Sequence, residues 1–225
     1  SVRVGKMGWG FFLATKPVVK TVLIAGTKPH SLGRYVGGAL FKQGWDVWLY
    51  SHHAKRVEKA RWHERACDIT LEKDIAELLD EMPKADLVLF TAHSGNGHGN
   101  FEKIPKSELD KLIGSKVTGS LLLAKALIRS AKKHPMTFIW CAGTATNKPK
   151  DLLLYGVVNA ALMNFVDQLN MHYRGICKAY YLPLGVISPS TQGDVYLKTA
   201  GRVTKKDISD PRSVFEKIEN ILAKA

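Results

Sequence analysis

One segment near the start of the chain has the residue types that hold a phosphate group. Residues 25–34 read AGTKPHSLGR and follow a short apolar run. A pyrophosphate site needs a tight turn, a close backbone approach and a helix N-terminus directed at the ligand. Gly26 suits the turn, Gly33 suits the start of the helix, and Ser31 is a residue type that caps helices. The residues of this segment that we expect at a dinucleotide are Gly26, Lys28, Ser31, Leu32, Gly33 and Arg34.

The residues after the next apolar run bear on which dinucleotide such a turn would hold. Residues 50–53 read YSHH and contain no carboxylate that could accept a hydrogen bond from the ribose 2′-hydroxyl of NAD(H). Basic side chains gather nearby instead, namely Arg34, His52, His53, Lys55 and Arg56. Cations suit a 2′-phosphate, so this pattern favours NADP(H) over NAD(H). The alternative is that these are solvated surface residues and that the chain holds no cofactor.

Apolar and amphipathic segments alternate along the chain and define the elements that would position these residues. The pattern predicts strands at 18–25, 46–50, 65–68, 86–92, 136–142 and 176–182. It predicts helices at 32–43, 54–61, 71–80, 106–133, 152–173 and 211–223. Strands that are apolar on both faces and separated by helices indicate a parallel sheet covered on both sides. The predicted fold class is therefore α/β, a Rossmann-like doubly wound parallel sheet of about six strands, whose ligands bind beyond the carboxyl ends of the strands.

Charge is unevenly distributed along the chain. The net charge is +13, and no acidic residue precedes Asp46. We divide the chain into a basic N-terminal arm, residues 1–17, and a single dinucleotide-binding domain, residues 18–225. A field of this sign attracts phosphates, nucleic acid or acidic partners, although a solvated basic face is equally consistent with it.

Two further features of the sequence bear on the cellular location of the protein. No apolar run near the N-terminus is long enough to span a bilayer, so we predict no transmembrane segment. The three cysteines, Cys67, Cys141 and Cys177, all lie in apolar runs. Such an odd count without framework spacing predicts reduced, buried thiols and a cytoplasmic location.

Several motifs together carry a family resemblance. Besides the turn at 25–34, they are CDIT at 67–70, TAHSG at 91–95, YGVVNAALMNF at 155–165, RGI at 174–176 and PLGVISP at 183–189. Over roughly residues 18–223, the sequence resembles the short-chain dehydrogenase/reductase family. The resemblance implies a nicotinamide dinucleotide as partner. Beyond the first turn and His52, it implies that the residues at this cofactor are Asp68, Ile69, Ala92, His93, Gly95, Pro183, Gly185 and Ile187.

The same resemblance implies roles at the chemical positions. The family's reaction uses a Tyr as acid and base, a Lys that lowers its pKa, a Ser that polarises the carbonyl and an Asn that holds a water. Tyr155 occupies the Tyr position, but Asn159 stands at the Lys position and Lys116 at the Asn position. The Ser position falls on Ala142 or Gly143, and the hydroxyl that would take its place is that of Thr144 or Thr146.

These departures leave two interpretations open. A phenol titrates near 10, so a nearby cation must stabilise the phenolate for use near neutrality. In the first interpretation Lys and Asn have exchanged positions that face the same site, and Lys116 supplies the cation. In the second, Lys116 is a solvated helix residue and the site is inactive.

The predicted function is accordingly an NADP(H)-binding protein similar to short-chain dehydrogenases/reductases, acting as an oxidoreductase through an altered Tyr site on an unknown small molecule. A catalytically inactive binding or scaffolding protein is the alternative, and nucleic-acid binding through the basic surface a weaker one. The resemblance also implies a homo-oligomer formed through the helices at 106–133 and 152–173. His93 and His98 alone are too few ligands for a metal, so we predict no metal site.

Overall fold

One sheet of seven strands organises the structure, a computed structural model that describes residues 19–26, 28–91, 97–131, 134–143, 152–189 and 208–224. The strands are β1 (Thr21–Ala25), β2 (Asp46–Ser51), β3 (Val57–Lys59), β4 (Trp62–Ala66), β5 (Leu87–Phe90), β6 (Met136–Gly143) and β7 (Cys177–Leu184). Their order is β3-β4-β2-β1-β5-β6-β7, and every neighbouring pair is parallel except β3 and β4. A second, two-stranded sheet pairs β8 (Val186–Ile187) with β9 (Ile208–Ser209).

Helices connect the strands. They are α1 (Leu32–Lys42), α2 (Glu72–Glu81), α3 (Lys106–Ile113), α4 (Gly119–Ala131), α5 (Leu153–His172) and α6 (Pro211–Leu222). Two of them begin at residues with clear capping chemistry. The Ser31 hydroxyl accepts a hydrogen bond from Arg34 N, and the Asp210 carboxylate accepts from Arg212 N and Ser213 N with Pro211 in the first turn.

The core lies on both faces of the sheet. In β1, Val22 and Ile24 pack with residues of α1 and α6, whereas Leu23 and Ala25 pack with residues of α2, α4 and α5. All of these β1 side chains are buried. Alternate residues of one strand therefore serve two helical layers, as expected for a parallel sheet with covered faces. The predicted Rossmann-like α/β class is confirmed.

The strand count differs from the predicted value of about six because a hairpin replaces one predicted helix. Residues 54–61 were expected to be helical, but Val57–Lys59 form β3, which pairs antiparallel with β4. Arg61 makes the turn with a φ of 63°. The buried guanidinium of Arg65 then bonds Val57 O and the carboxylate of Glu58. These partners hold a polar segment against the sheet edge, so tertiary contacts outweigh its helical pattern.

The helix predicted at 106–133 is interrupted. Between α3 and α4, residues Gly114–Thr118 form a π-helical turn, in which Gly119 N bonds to Gly114 O. A π-turn accommodates one extra residue and is often found at functional sites. Lys116 lies inside this turn and is buried.

Three expectations concern the chain at large. All three thiols are free and buried, as predicted. In the described ranges no helix has the length and apolar character needed to cross a membrane. Over the same ranges no group of three or more His, Cys, Asp or Glu side chains is arranged to hold a metal ion. The N-terminal arm lies outside the described residues.

Candidate active site

The phosphate-binding turn lies at the carboxyl end of β1. Gly26 has a φ of 101°, a backbone conformation that favours glycine. A Cβ added to Gly33 would lie 2.5 Å from Ala25 O and 2.8 Å from Thr91 Oγ1, so only hydrogen fits there. The first residues of α1 therefore pack directly against the backbone of the turn. This close approach, with a helix N-terminus beside it, is what a pyrophosphate site requires.

Thr91 is a residue of this site that the sequence interpretation did not name. Its hydroxyl donates to Ala25 O at the end of β1 and thereby ties the ends of β1 and β5 together. A polar residue directly after an apolar strand was the available signal. The side chain of Leu32, which was also expected at the dinucleotide, is buried in the core with Val36 and Leu40.

Arg34, expected at a 2′-phosphate, already has a carboxylate partner. Its Nη2 lies 2.8 Å from Glu64 Oε2, and Trp62 Nε1 donates to the other oxygen of Glu64 at 3.0 Å. Glu64 is buried, whereas about a third of the Arg34 side chain is exposed. A phosphate would therefore have to compete with Glu64 for this guanidinium.

His52 and Asp68 meet beyond the ends of β2 and β4. His52 Nε2 lies 3.4 Å from Asp68 Oδ2, and the Asp68 Oδ1 atom accepts hydrogen bonds from Thr70 N and Thr70 Oγ1. Burial alone would raise the pKa of Asp68, but the bonds from Thr70 outweigh it and the pKa is lowered. Ile69, next in sequence, packs so closely on Gly119 that a Cβ there would lie 2.6 Å from it. The loop that carries Asp68 is thus fixed against α4.

Lys116, Asn159 and Tyr155 come together between the π-turn and α5. Lys116 Nζ lies 3.3 Å from Asn159 Oδ1 and 5.8 Å from the centre of the Tyr155 ring. Lys116 is 9% exposed and Asn159 is 1% exposed. Asn159 follows Tyr155 by one helical turn, so both face the same side of α5. The π-turn places the amine opposite them.

Tyr155 is held by the segment that precedes α3. Gly97 N donates to the Tyr155 hydroxyl at 3.4 Å, and the His98 ring lies 4.9 Å from the Tyr155 ring, centre to centre. Burial raises the pKa of Tyr155; the bond from Gly97 N lowers it, the Glu108 charge raises it further, and the net shift is upward. At neutral pH the phenol is therefore protonated and can act as an acid.

Other predicted residues lie at the same edge of the sheet or outside the described ranges. Pro183 is paired with Ala142 across β6 and β7, Gly185 N donates to Ser209 Oγ, and Ile187 pairs with Ser209. Lys28 is exposed in the first turn. Five predicted residues lie outside the described ranges, namely Ala92, His93, Gly95, Thr144 and Thr146.

Comparison with known proteins bears on the fold of this chain. No protein-family model and no curated protein matches the sequence. Solved structures do match. A 3-ketoacyl-(acyl-carrier-protein) reductase from Brucella melitensis complexed with NADH shares 19% identity over 89% of both chains, with a TM-score of 0.77.

Two others have similar values. A short chain dehydrogenase/reductase family protein shares 16% identity over 88% of this chain and 87% of its own, with a TM-score of 0.77. ElxO with NADP bound shares 15% over 89% and 90%, with a TM-score of 0.76. The chain has the fold of the short-chain dehydrogenases/reductases. The resemblance drawn from the motifs is therefore confirmed at the level of the fold, which by itself does not fix an activity.

Proposed function

We propose that this chain binds a nicotinamide dinucleotide and is an oxidoreductase that interconverts a carbonyl compound and its alcohol at Tyr155. The observation that carries the proposal is the contact between Lys116 and Asn159 beside Tyr155. The contact places the Lys116 amine near the Tyr155 phenol. In the family pattern that amine would come from α5, whereas here it comes from the π-turn between α3 and α4. The similar structures include one complexed with NADH and one with NADP bound, which supports the class of cofactor.

The residues that would hold the dinucleotide lie along one edge of the sheet. Gly26 and Gly33 suit the pyrophosphate, because the left-handed turn at Gly26 and the tight packing at Gly33 set the N-terminus of α1 beside the end of β1. The loop with Asp68 and Ile69 suits the adenine end of the dinucleotide. The segment Pro183–Ile187, at the carboxyl end of β7, suits the opposite end of the dinucleotide. When bound, the dinucleotide supplies or accepts the hydride.

The chain's own residues would handle the proton. During reduction, the Tyr155 hydroxyl gives its proton to the carbonyl oxygen, and during oxidation the phenolate takes it back. Lys116 stabilises the phenolate form by its charge, and the Asn159 amide oxygen orients the ammonium by accepting its hydrogen bond. In this scheme Lys116, between α3 and α4, provides the cation, and Asn159 on α5 orients it.

NADP(H) is the favoured dinucleotide. No carboxylate follows β2, where one would select the 2′-hydroxyl of NAD(H). Among the described residues, Lys28 and Lys55 have no carboxylate within ion-pair distance, unlike Arg34 and His52. The preference therefore rests on Lys28 and Lys55, with Arg34 available only in competition with Glu64.

A second candidate function is dinucleotide binding without turnover. It is favoured by the raised pKa of Tyr155 and by Ala142 and Gly143 at the position where a hydroxyl would polarise the carbonyl. A binding protein of this kind would keep the glycine turn and need no phenolate. The two candidates share the cofactor and differ only in chemistry.

Titration of the native chain with NADPH and NADH, followed by thermal unfolding, tests the proposal. At a free concentration of about 100 times Kd, a ligand stabilises the folded state by about 2.7 kcal/mol. For a chain of this size that raises Tm by roughly 5–10 °C. We expect NADPH to produce the larger shift.

NADPH oxidation with a set of aldehydes and ketones then separates the two candidates, with Tyr155→Phe as the control for background. Turnover that Tyr155→Phe abolishes supports the oxidoreductase. A Tm shift without turnover supports the binding protein. No shift with either dinucleotide refutes both, and salt-sensitive DNA binding in the same preparation would then favour the basic surface as the functional one.

A further inference from the structure

A cavity of about 430 Å³ is lined by His98, whose ring packs against Tyr155, and plays no part in the dinucleotide edge described above. Its lining includes His98, Asn100, Lys103, Ile104, Pro105 and Glu108. Its volume falls within the range of roughly 300–1,000 Å³ typical of small-molecule sites. The lining combines an imidazole, an amide, an ammonium and a carboxylate with the apolar surface of Ile104 and Pro105.

The cavity is connected to the reacting phenol by two of its own residues. His98 lines the cavity and its ring also packs 4.9 Å from the Tyr155 ring. Glu108 lines the cavity and its charge acts on the Tyr155 hydroxyl. A molecule in the cavity would therefore contact two residues that also act on Tyr155.

Two of the three lysines around the cavity are paired with carboxylates. Glu108 Oε1 is paired with Lys111 Nζ at 2.9 Å, and Lys106 Nζ is paired with Asp110 Oδ2 at 2.5 Å. Lys103 differs from these lysines, because no carboxylate of the described residues lies within ion-pair distance of its ammonium. Lys103 therefore provides an ammonium that can form an ion pair with an anionic ligand.

We propose that this cavity is the substrate site and that its substrate class is a small carbonyl compound bearing a carboxylate. Lys103 pairs with the carboxylate, Ile104 and Pro105 contact the carbon skeleton, and His98 places the carbonyl beside Tyr155. The assignment rests on the proposed oxidoreductase function for its reaction but not for its binding. A carboxylate is preferred over a neutral group because the Lys103 ammonium has no carboxylate partner among the described residues.

Two ligands that differ only in charge test this assignment. 4-Carboxybenzaldehyde and methyl 4-formylbenzoate have the same ring and the same aldehyde, but only the first is an anion at neutral pH. Their binding to the native chain is measured by ligand-observed NMR titration in the absence of dinucleotide. We expect the acid to bind about two- to five-fold more tightly, as for one exposed ion pair, with an advantage that shrinks as salt is added.

Two variants locate the effect. Lys103→Gln should bind acid and ester equally. Lys106→Gln, on the same segment but paired with Asp110 and not lining the cavity, should keep the preference for the acid. Equal binding of both ligands to the native chain, loss of the preference in both variants, or binding of neither ligand would each overturn the assignment.

NADPH titration of the same samples distinguishes failure of the substrate-site assignment from failure of the proposed function. Binding of NADPH without selective binding of the acid overturns only the substrate site. Selective binding of the acid that Lys103→Gln removes supports the site even if NADPH does not bind, and in that case only the proposed function fails.

Discussion

Lys116 and Asn159 form a hydrogen bond of 3.3 Å between side chains that are 43 residues apart in the sequence. Both are buried, and both stand beside Tyr155. Relative to the pattern of the family that the motifs resemble, the amine and the amide have changed places. The contact shows that the two exchanged positions face each other, which is the geometric condition for one to compensate for the other.

Exchange of these side chains gives the first prediction. Lys116→Ala should reduce NADPH-dependent turnover by about 100-fold or more, because the phenolate loses its cation. The double variant Lys116→Asn with Asn159→Lys should recover turnover, since the ammonium then lies one helical turn from Tyr155. Turnover is measured by NADPH oxidation and folding by circular dichroism. Lys125→Ala, which removes an exposed lysine of α4, is the control; turnover unchanged in a folded Lys116→Ala protein would contradict the compensation.

Gly33 and Gly38 give a matched pair on α1. Gly33→Ala places a Cβ 2.5 Å from Ala25 O, so we expect a loss of about 1–3 kcal/mol in the free energy of unfolding and weaker NADPH binding. A Cβ at Gly38 meets nothing within 4 Å, so Gly38→Ala should stabilise the protein by about 0.5–1 kcal/mol and leave NADPH binding unchanged. Urea unfolding and dye-monitored titration measure both. Equal behaviour of the two variants would be inconsistent with a close approach at Gly33.

Acid sensitivity should reside partly in the ion pairs at the sheet edge. Hydrogen bonds from Arg65 and then Arg56 lower the pKa of Glu81, outweighing the effect of burial. A carboxyl with a lowered folded pKa contributes stability above its unfolded value of about 4.3, and the contribution is lost as the pH falls through the folded pKa. The free energy of unfolding should therefore decline below about pH 4.3. Urea midpoints between neutral and acid pH should show a shallower decline for Glu81→Gln than for the control Glu77→Gln. Among the described residues, the Glu77 carboxylate forms an ion pair only with exposed Lys73. Identical slopes for the two variants would count against this account.

Self-association through α4 and α5 remains a prediction, and the surface of α5 supports it. Leu153, Val157 and Met171 are exposed along one side of the helix, with Val157 at 60%. Apolar stripes of this kind usually mark an interface. Val157→Lys should convert an oligomer into a monomer in sedimentation velocity. Tyr35→Lys, which alters an exposed apolar residue of α1, should not. A native protein that sediments as a monomer would refute the prediction.

Much of the fold could be predicted because its signals are local. The helix expected at 152–173 is α5, Leu153–His172, and the strand expected at 136–142 is β6, Met136–Gly143. Apolar periodicity and helix ends suffice for such elements. The segment 54–61 failed because its structure depends on Arg65 and on pairing with β4, neither of which appears in a local pattern.

The proximity of three residues of the proposed site was predictable, and the charges around them were less so. Tyr155, Asn159 and Lys116 follow from motif spacing, and the structure brings them together. The pairing of Arg34 with Glu64 could not be foreseen, because it depends on the register that sets Glu64 opposite Leu49 in β2. The burial that raises the pKa of Tyr155 likewise depends on Gly97 and His98, which precede α3 and fold over the ring.

The π-turn at Gly114–Thr118 has a consequence for how such a site can change. One additional residue in a helix rotates everything on one side of it by about 100° relative to the other. A lysine that would point to solvent in an uninterrupted helix can thus be brought to face the partner helix without any change in its own identity. In a lineage of proteins with this architecture, a single-residue insertion or deletion between α3 and α4 would relocate the ammonium at position 116 in one evolutionary step. If the proposed function holds, length variation there would be as informative about activity as substitution at Tyr155.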